Sequence, residues 1–177
     1  MIAVWTDYPI SSEAGDVISD YIDAGGAVVM LLFSDVSYYG VEGRYVSTAK
    51  NLLAHGGYNP GTHTLGTVEI PGHPIMDGVS SFTSTWIAEQ TDTVNGGIVV
   101  ARYSSNDILV AVSPSGNVVA LNFWPGDFYS GVDNINGGRL LRNALVFAAK
   151  PSVLLFTYDY SESTGIGKSF LDGFDAF

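Results

Sequence analysis

The chain has 177 residues, 46% of them hydrophobic and 14% charged, which is enough apolar side chain for one ordinary domain to bury a continuous core and excludes disorder. Against 18 Asp and Glu stand only 7 Lys and Arg, and the formal net charge of −11 repels phosphate backbones and anionic lipid, so neither nucleic acid nor membrane insertion is expected. Cysteine is absent, which excludes disulfides, zinc ribbons and thiol catalysis, and no apolar run approaches the roughly 20 residues of a membrane span.

Ile2-Ala3-Val4-Trp5 opens the chain as a short apolar run with the look of a buried strand. Ala14, Val17, Ile18, Tyr21 and Ile22 then recur at helical spacing, with Glu13, Asp16, Asp20 and Asp23 on the opposite face. Ser11 or Ser12 suits the start of that helix and Gly25-Gly26 its end. Residues 27–33 (Ala-Val-Val-Met-Leu-Leu-Phe) are apolar on both alternating faces, as a strand covered on both sides must be. Strand, helix and strand within about 30 residues form a βαβ unit, whose crossover is almost always right-handed.

Residues 45–55 are expected to be helical, 64–70 a strand, Pro71-Gly72-His73-Pro74 a turn and 75–79 a helical turn. Three β-rich runs follow at 98–103, 108–112 and 118–123, divided by Ser104-Ser105-Asn106-Asp107 and Ser113-Pro114-Ser115-Gly116-Asn117, and they read as antiparallel hairpins. Beyond a loop rich in Gly, Asp and Asn, Leu140, Leu141, Ala144, Leu145 and Ala148 mark a last amphipathic helix, with Asn134 or Asn136 as its cap. Val153-Leu154-Leu155-Phe156 is a further strand candidate, and residues 168–174 a short helix. No linker interrupts the pattern, so residues 1–177 read as a single α/β domain.

Several segments, taken together, carry a resemblance. These are Asp20-Tyr21-Ile22-Asp23-Ala24-Gly25-Gly26-Ala27-Val28-Val29, Gly43-Arg44, His73-Pro74-Ile75-Met76-Asp77-Gly78-Val79, Val119-Ala120-Leu121-Asn122-Phe123-Trp124-Pro125 and Leu140-Leu141-Arg142-Asn143-Ala144-Leu145. Over roughly residues 2 to 150 their order resembles the class I glutamine amidotransferase-like superfamily, closest to its ThuA-like and β-galactosidase-middle-domain-like branch. The resemblance implies a flavodoxin-like, mostly parallel sheet with helices on both faces and a small antiparallel hairpin extension. It also implies, for the catalytic members, a Cys on a tight elbow after a central strand, completed by His and Glu. This chain has no Cys, and no G-x-S-x-G elbow to present a serine instead. The His that ThuA-like relatives carry at the end of the corresponding strand is replaced here by Phe33 or Ser34.

Members of this superfamily usually begin one strand and one helix earlier, and residues 151–177 look like that missing first unit moved to the C-terminus. Either the domain is circularly permuted, or it is cut from a tandem array in which the last strand completes a neighbour's sheet. The second arrangement would also account for a module without an enzyme site.

Candidate chemistry gathers at the strand ends. Asp7, Asp35 and Asp159 each follow a candidate strand, and in a parallel sheet all three would lie at the carboxyl edge, where open α/β folds place their ligand crevice. Three acids without a basic partner would suit Ca²⁺ or Mg²⁺, although polar residues must follow buried strands in any case. Tyr38, Tyr39, Trp86, Trp124, Phe128 and Tyr129 lie in or beside loops and suit carbohydrate stacking, a protein interface or plain packing. Of the histidines, His55 suits a helix end, His63 a surface segment, and His73 a turn or a binding role.

The functional expectation is a non-catalytic module with a structural, self-assembly or adhesion role in a larger or repeated extracellular or cell-surface protein. It would associate with itself or with neighbouring domains. The alternative is a carbohydrate-binding or sugar-metabolism-related domain. Asp at 13 against Glu at 5, with 21 Gly and 10 Tyr, suits a turn-rich extracellular surface. The run after Met1 has no basic n-region of a signal peptide, so the reading is a mature piece of a longer protein or a cytoplasmic chain.

Overall fold

A computed structural model describes residues 1–6, 11–125 and 133–149. Asp7, Phe128, Tyr129 and Asp159, and the strand and helix expected at 153–156 and 168–174, lie outside the described residues.

The fold is α/β, built among the described residues on a seven-stranded mixed sheet of order β1-β2-β7-β6-β5-β3-β4. β1 (Ile2–Val4), β2 (Val28–Leu31) and β7 (Val118–Leu121) run parallel at one end. From β7 outward the ladders are antiparallel, through β6 (Ile108–Val112), β5 (Ile98–Tyr103), β3 (Tyr58–Val68) and β4 (Thr83–Ala88). The expectation of a mostly parallel sheet therefore holds at one end only. The loops between β5 and β6 and between β6 and β7 are too short for anything but an antiparallel return. The hairpins expected at 98–123 are no separate extension, since β7 is at once the last hairpin strand and the parallel partner of β2.

α1 (Ser12–Asp23) ends as its sequence requires. Gly25 takes φ +88°, its N–H donates to the Ile22 carbonyl and the Gly26 N–H to the Tyr21 carbonyl, the paired bonds of a Schellman motif. α2 is a single turn, Arg44–Ser47, shorter than the helix expected over 45–55. The chain leaves it through Ala49 at φ +60°, which frees Leu52 and Leu53 to turn into the core at 2% exposure each. α3 (Asn134–Ala149) is capped by Asp133 rather than by Asn134 or Asn136, with its Oδ1 accepting from the Asn136 N–H at 3.0 Å.

Helices cover both faces of the parallel end. Val28 and Met30 of β2 pack in one cluster with Ile18 and Ile22 of α1 and Tyr45 of α2. Val29 and Leu31 face the other way, in a cluster with Leu140, Ala144 and Ala148 of α3. This alternation is the period-two pattern of a strand buried on both sides, and it explains why residues 28–31 tolerate no polar side chain. Arg44 ties α1 to α2 through an ion pair with Asp20 at 2.6 Å.

β3 and β4 form a long hairpin at the far edge. The first half of β3 is largely exposed, and β4 is rich in Ser and Thr, so neither carries the apolar alternation that marks the other strands.

Candidate functional site

The turn after β2 is sharply strained. Phe33 takes φ +74°, a left-handed conformation that costs a residue with a Cβ about 1–2 kcal/mol. The Ser34 N–H donates to the Leu31 carbonyl at 3.1 Å and the Val36 N–H to the Phe33 carbonyl at 3.2 Å, closing two successive tight turns. Strain of this kind persists only where the surroundings over-determine it. Here they are aromatic. The Phe33 ring lies 5.4 Å from Tyr39, 5.7 Å from Tyr58, 6.3 Å from Trp86 and 6.0 Å from Trp124, centroid to centroid.

The cluster draws on four separate stretches of chain: the turn after β2, the start of β3, the middle of β4 and the segment leaving β7. Tyr58 and Trp86 meet at 5.4 Å because β3 and β4 are paired there, and Tyr38 stands edge-on to Tyr39 at 5.0 Å. Phe33 is buried at 7% exposure, whereas Tyr58 is 42% and Tyr38 70% exposed. Tyr39, Trp86 and Trp124 lie between these limits. The result is a buried hub with a partly open aromatic surface, at the carboxyl edge of β2 and β7.

Four of the expected site residues, Tyr38, Tyr39, Trp86 and Trp124, therefore come together. Phe33 and Tyr58 complete the group without having been singled out in the sequence. Phe33 closes an apolar run and reads as core, and its backbone angle leaves no trace in composition. Tyr58 follows Gly56-Gly57 and acquires its role only through the β3–β4 pairing.

Asp35 lies two residues beyond the hub, buried at 4% exposure, with Oδ1 making no hydrogen bond among the described residues. Burial pushes its carboxyl up to about 7. Among the described residues no three acids or histidines gather into a group able to hold a metal ion. Ser34, the hydroxyl nearest the elbow, is fully buried and donates to the Val4 carbonyl at 3.3 Å, the geometry of a structural serine.

His73 stands apart from the aromatic surface. Its Nδ1 accepts the Ile75 N–H at 3.3 Å and its ring packs on Phe147 of α3 at 4.7 Å, beside an open depression of about 490 Å³. Burial lowers its pKa, which keeps Nδ1 free to accept. This is the turn role. His63 is buried at 9% rather than lying at the surface, because it pairs with Ser84 of β4 and its ring packs edge-on against Tyr103 at 6.0 Å. His55 is on no helix; its Nδ1 faces Glu42 at 3.1 Å.

Compared with protein-family models and with curated proteins, the chain matches none.

Proposed function

We propose that the chain is a non-catalytic module of the amidotransferase-like type, flavodoxin-like in its parallel half, that works in adhesion at a cell surface by holding neutral carbohydrate on its aromatic surface. The observation that carries this reading is Phe33. In the superfamily the sequence resembles, the elbow after a central strand presents the nucleophile. Here the strained turn after β2 presents a phenyl ring packed among Tyr39, Tyr58, Trp86 and Trp124. A hydrocarbon at that place serves binding and not bond making.

Two further features support a sugar as ligand. Exposed rings backed by a rigid hub offer flat π surface to the C–H faces of a pyranose at low entropic cost. The net charge of −11 disfavours sulfated or sialylated chains and leaves neutral glycans as the compatible class.

A glycan array probed with the whole chain and with Tyr38→Ala tests the reading, since Tyr38 is 70% exposed and its loss leaves the core intact. Neutral glycans bound by the parent, with affinity reduced at least tenfold in the variant, are expected. No glycan signal, together with self-association that Tyr38→Ala abolishes, would replace adhesion to sugar by assembly between copies through the same surface.

A further inference from the structure

The depression beside His73 lies between the turn at residues 72–78 and α3, and shares no residue with the aromatic cluster. Its walls are tied together. Asn143 of α3 donates through Nδ2 to the Ile75 carbonyl at 3.1 Å and to the Asp77 carbonyl at 2.9 Å. Arg139 donates to the Gly78 carbonyl, and the His73 ring packs on Phe147. A cleft held in this way has little to order when a ligand enters, which removes part of the cost of binding.

Three polar groups and an apolar strip line the cleft. Because the His73 Nδ1 accepts the Ile75 N–H, the neutral ring carries its proton on Nε2, a donor with no hydrogen bond among the described residues. Arg142 brings a guanidinium from α3, and its five N–H donors exceed what one partner takes up. Asp77 brings an exposed carboxylate from the turn. Its main chain is bonded to Asn143, the neighbour of Arg142, so the two charges occupy adjoining places in the cleft. Val146, one helical turn beyond Arg142 and 65% exposed, and the half-buried Phe147 supply the apolar strip.

We propose that this cleft binds a free α-amino acid with an apolar side chain. The ligand carboxylate lies on the Arg142 guanidinium and the His73 Nε2–H, its ammonium on Asp77, and its side chain against Val146 and Phe147. A cation and an anion set side by side match a zwitterion, whereas a plain carboxylate meets Asp77 and a plain amine meets Arg142. A zwitterion has no net charge, so the field of a chain at −11 does not repel it from a distance. A neutral sugar leaves both charged groups without a counterpart. At about 490 Å³ the cleft falls in the size range of small-molecule sites and has room for a branched or aromatic side chain.

Isothermal titration of the full chain with leucine and with phenylalanine tests the assignment. Saturable binding of at least one of them is expected. Its N-acetyl derivative, which lacks the ammonium, its amide, which lacks the carboxylate, and glycine, which lacks the side chain, are each expected to bind at least tenfold more weakly. Arg142→Gln and Asp77→Asn, both at exposed positions, are expected to weaken binding at least tenfold. His73→Asn keeps an oxygen to accept the Ile75 N–H and withdraws the Nε2 donor, and is expected to weaken it at least threefold. Absence of binding by both amino acids at millimolar concentration overturns the proposal. So does a derivative, or glycine, bound as tightly as the amino acid itself, or an affinity that any of the three substitutions leaves unchanged.

Discussion

The side chain of Asn122 takes both main-chain polar groups of Ala88: its Oδ1 accepts the Ala88 N–H at 2.7 Å, and its Nδ2 donates to the Ala88 carbonyl at 2.9 Å. The same Nδ2 donates to the Ile108 carbonyl at 2.7 Å, and the Asn122 carbonyl accepts the Tyr103 hydroxyl at 2.6 Å. One carboxamide thus stands in for a strand, joining the end of β7 to the end of β4 although the two are far apart in the sheet order. It also fixes Trp124 and Trp86, two residues away on either side, and so shapes the aromatic surface.

Asn122→Ala leaves three buried main-chain groups without partners, each costing about 1–3 kcal/mol. Chemical denaturation is expected to show a loss of at least about 3 kcal/mol, and hydrogen exchange a selective loss of protection at Ala88. Asn122→Asp is expected to be no milder, because it removes both donors and buries a charge.

At Phe33 the usual order of substitutions reverses. Removing a buried phenyl ring costs about 3–5 kcal/mol with either small residue. Alanine ordinarily outranks glycine by about 0.5–1 kcal/mol, but at φ +74° it keeps the strain that glycine relieves. Phe33→Gly is expected to be more stable than Phe33→Ala by about 1 kcal/mol. An alanine variant more stable than the glycine one would show that the turn relaxes on losing its ring.

Gly15 lies inside α1, where replacement by alanine normally gains about 1 kcal/mol. A Cβ built there falls 1.7 Å from the Glu42 carbonyl oxygen, a backbone atom that has no side-chain freedom to move away. Gly15→Ala is therefore expected to lower the melting temperature, and a rise would mean that the segment before α2 shifts freely.

Asp35 sets part of the pH dependence. Its carboxyl ionises near 3.8 in the unfolded chain and about 7 in the folded one. Its favourable contribution is complete below 3.8, declines as the pH rises through this window and is gone above 7. Between pH 4.5 and 8 this amounts to about 3 kcal/mol. Asp35→Asn is expected to remove that component, so that the gap between parent and variant changes by this amount across the window. Parallel pH profiles would show that the carboxyl is solvated.

Where the sequence was legible, a single element held its own signal. β5, β6 and β7 coincide with apolar runs between turn residues, and α1 with a 3.6-residue period closed by Gly25-Gly26. β4 and the first half of β3 escaped detection because the first half of β3 is largely exposed and the buried positions of β4, Ser84, Ile87 and Ala88, follow no apolar alternation in the sequence. α2 came out short because Leu52 and Leu53 satisfy the core from an irregular segment as well as they would from a helix. At the site, the aromatic residue types were visible, but their convergence on Phe33 follows from the β3–β4 register and from a backbone angle that the sequence does not display.

The position of β7 also governs the order of assembly. β5, β6 and β7 can zip together through short loops as soon as residue 121 exists, whereas β2 must wait some ninety residues of synthesis for its inner neighbour. During that interval the most apolar stretch of the chain, 27–33, is made but only half paired. The nascent protein is thus expected to depend on chaperone shielding of its first βαβ unit, and the local hairpins to be the template on which that unit condenses.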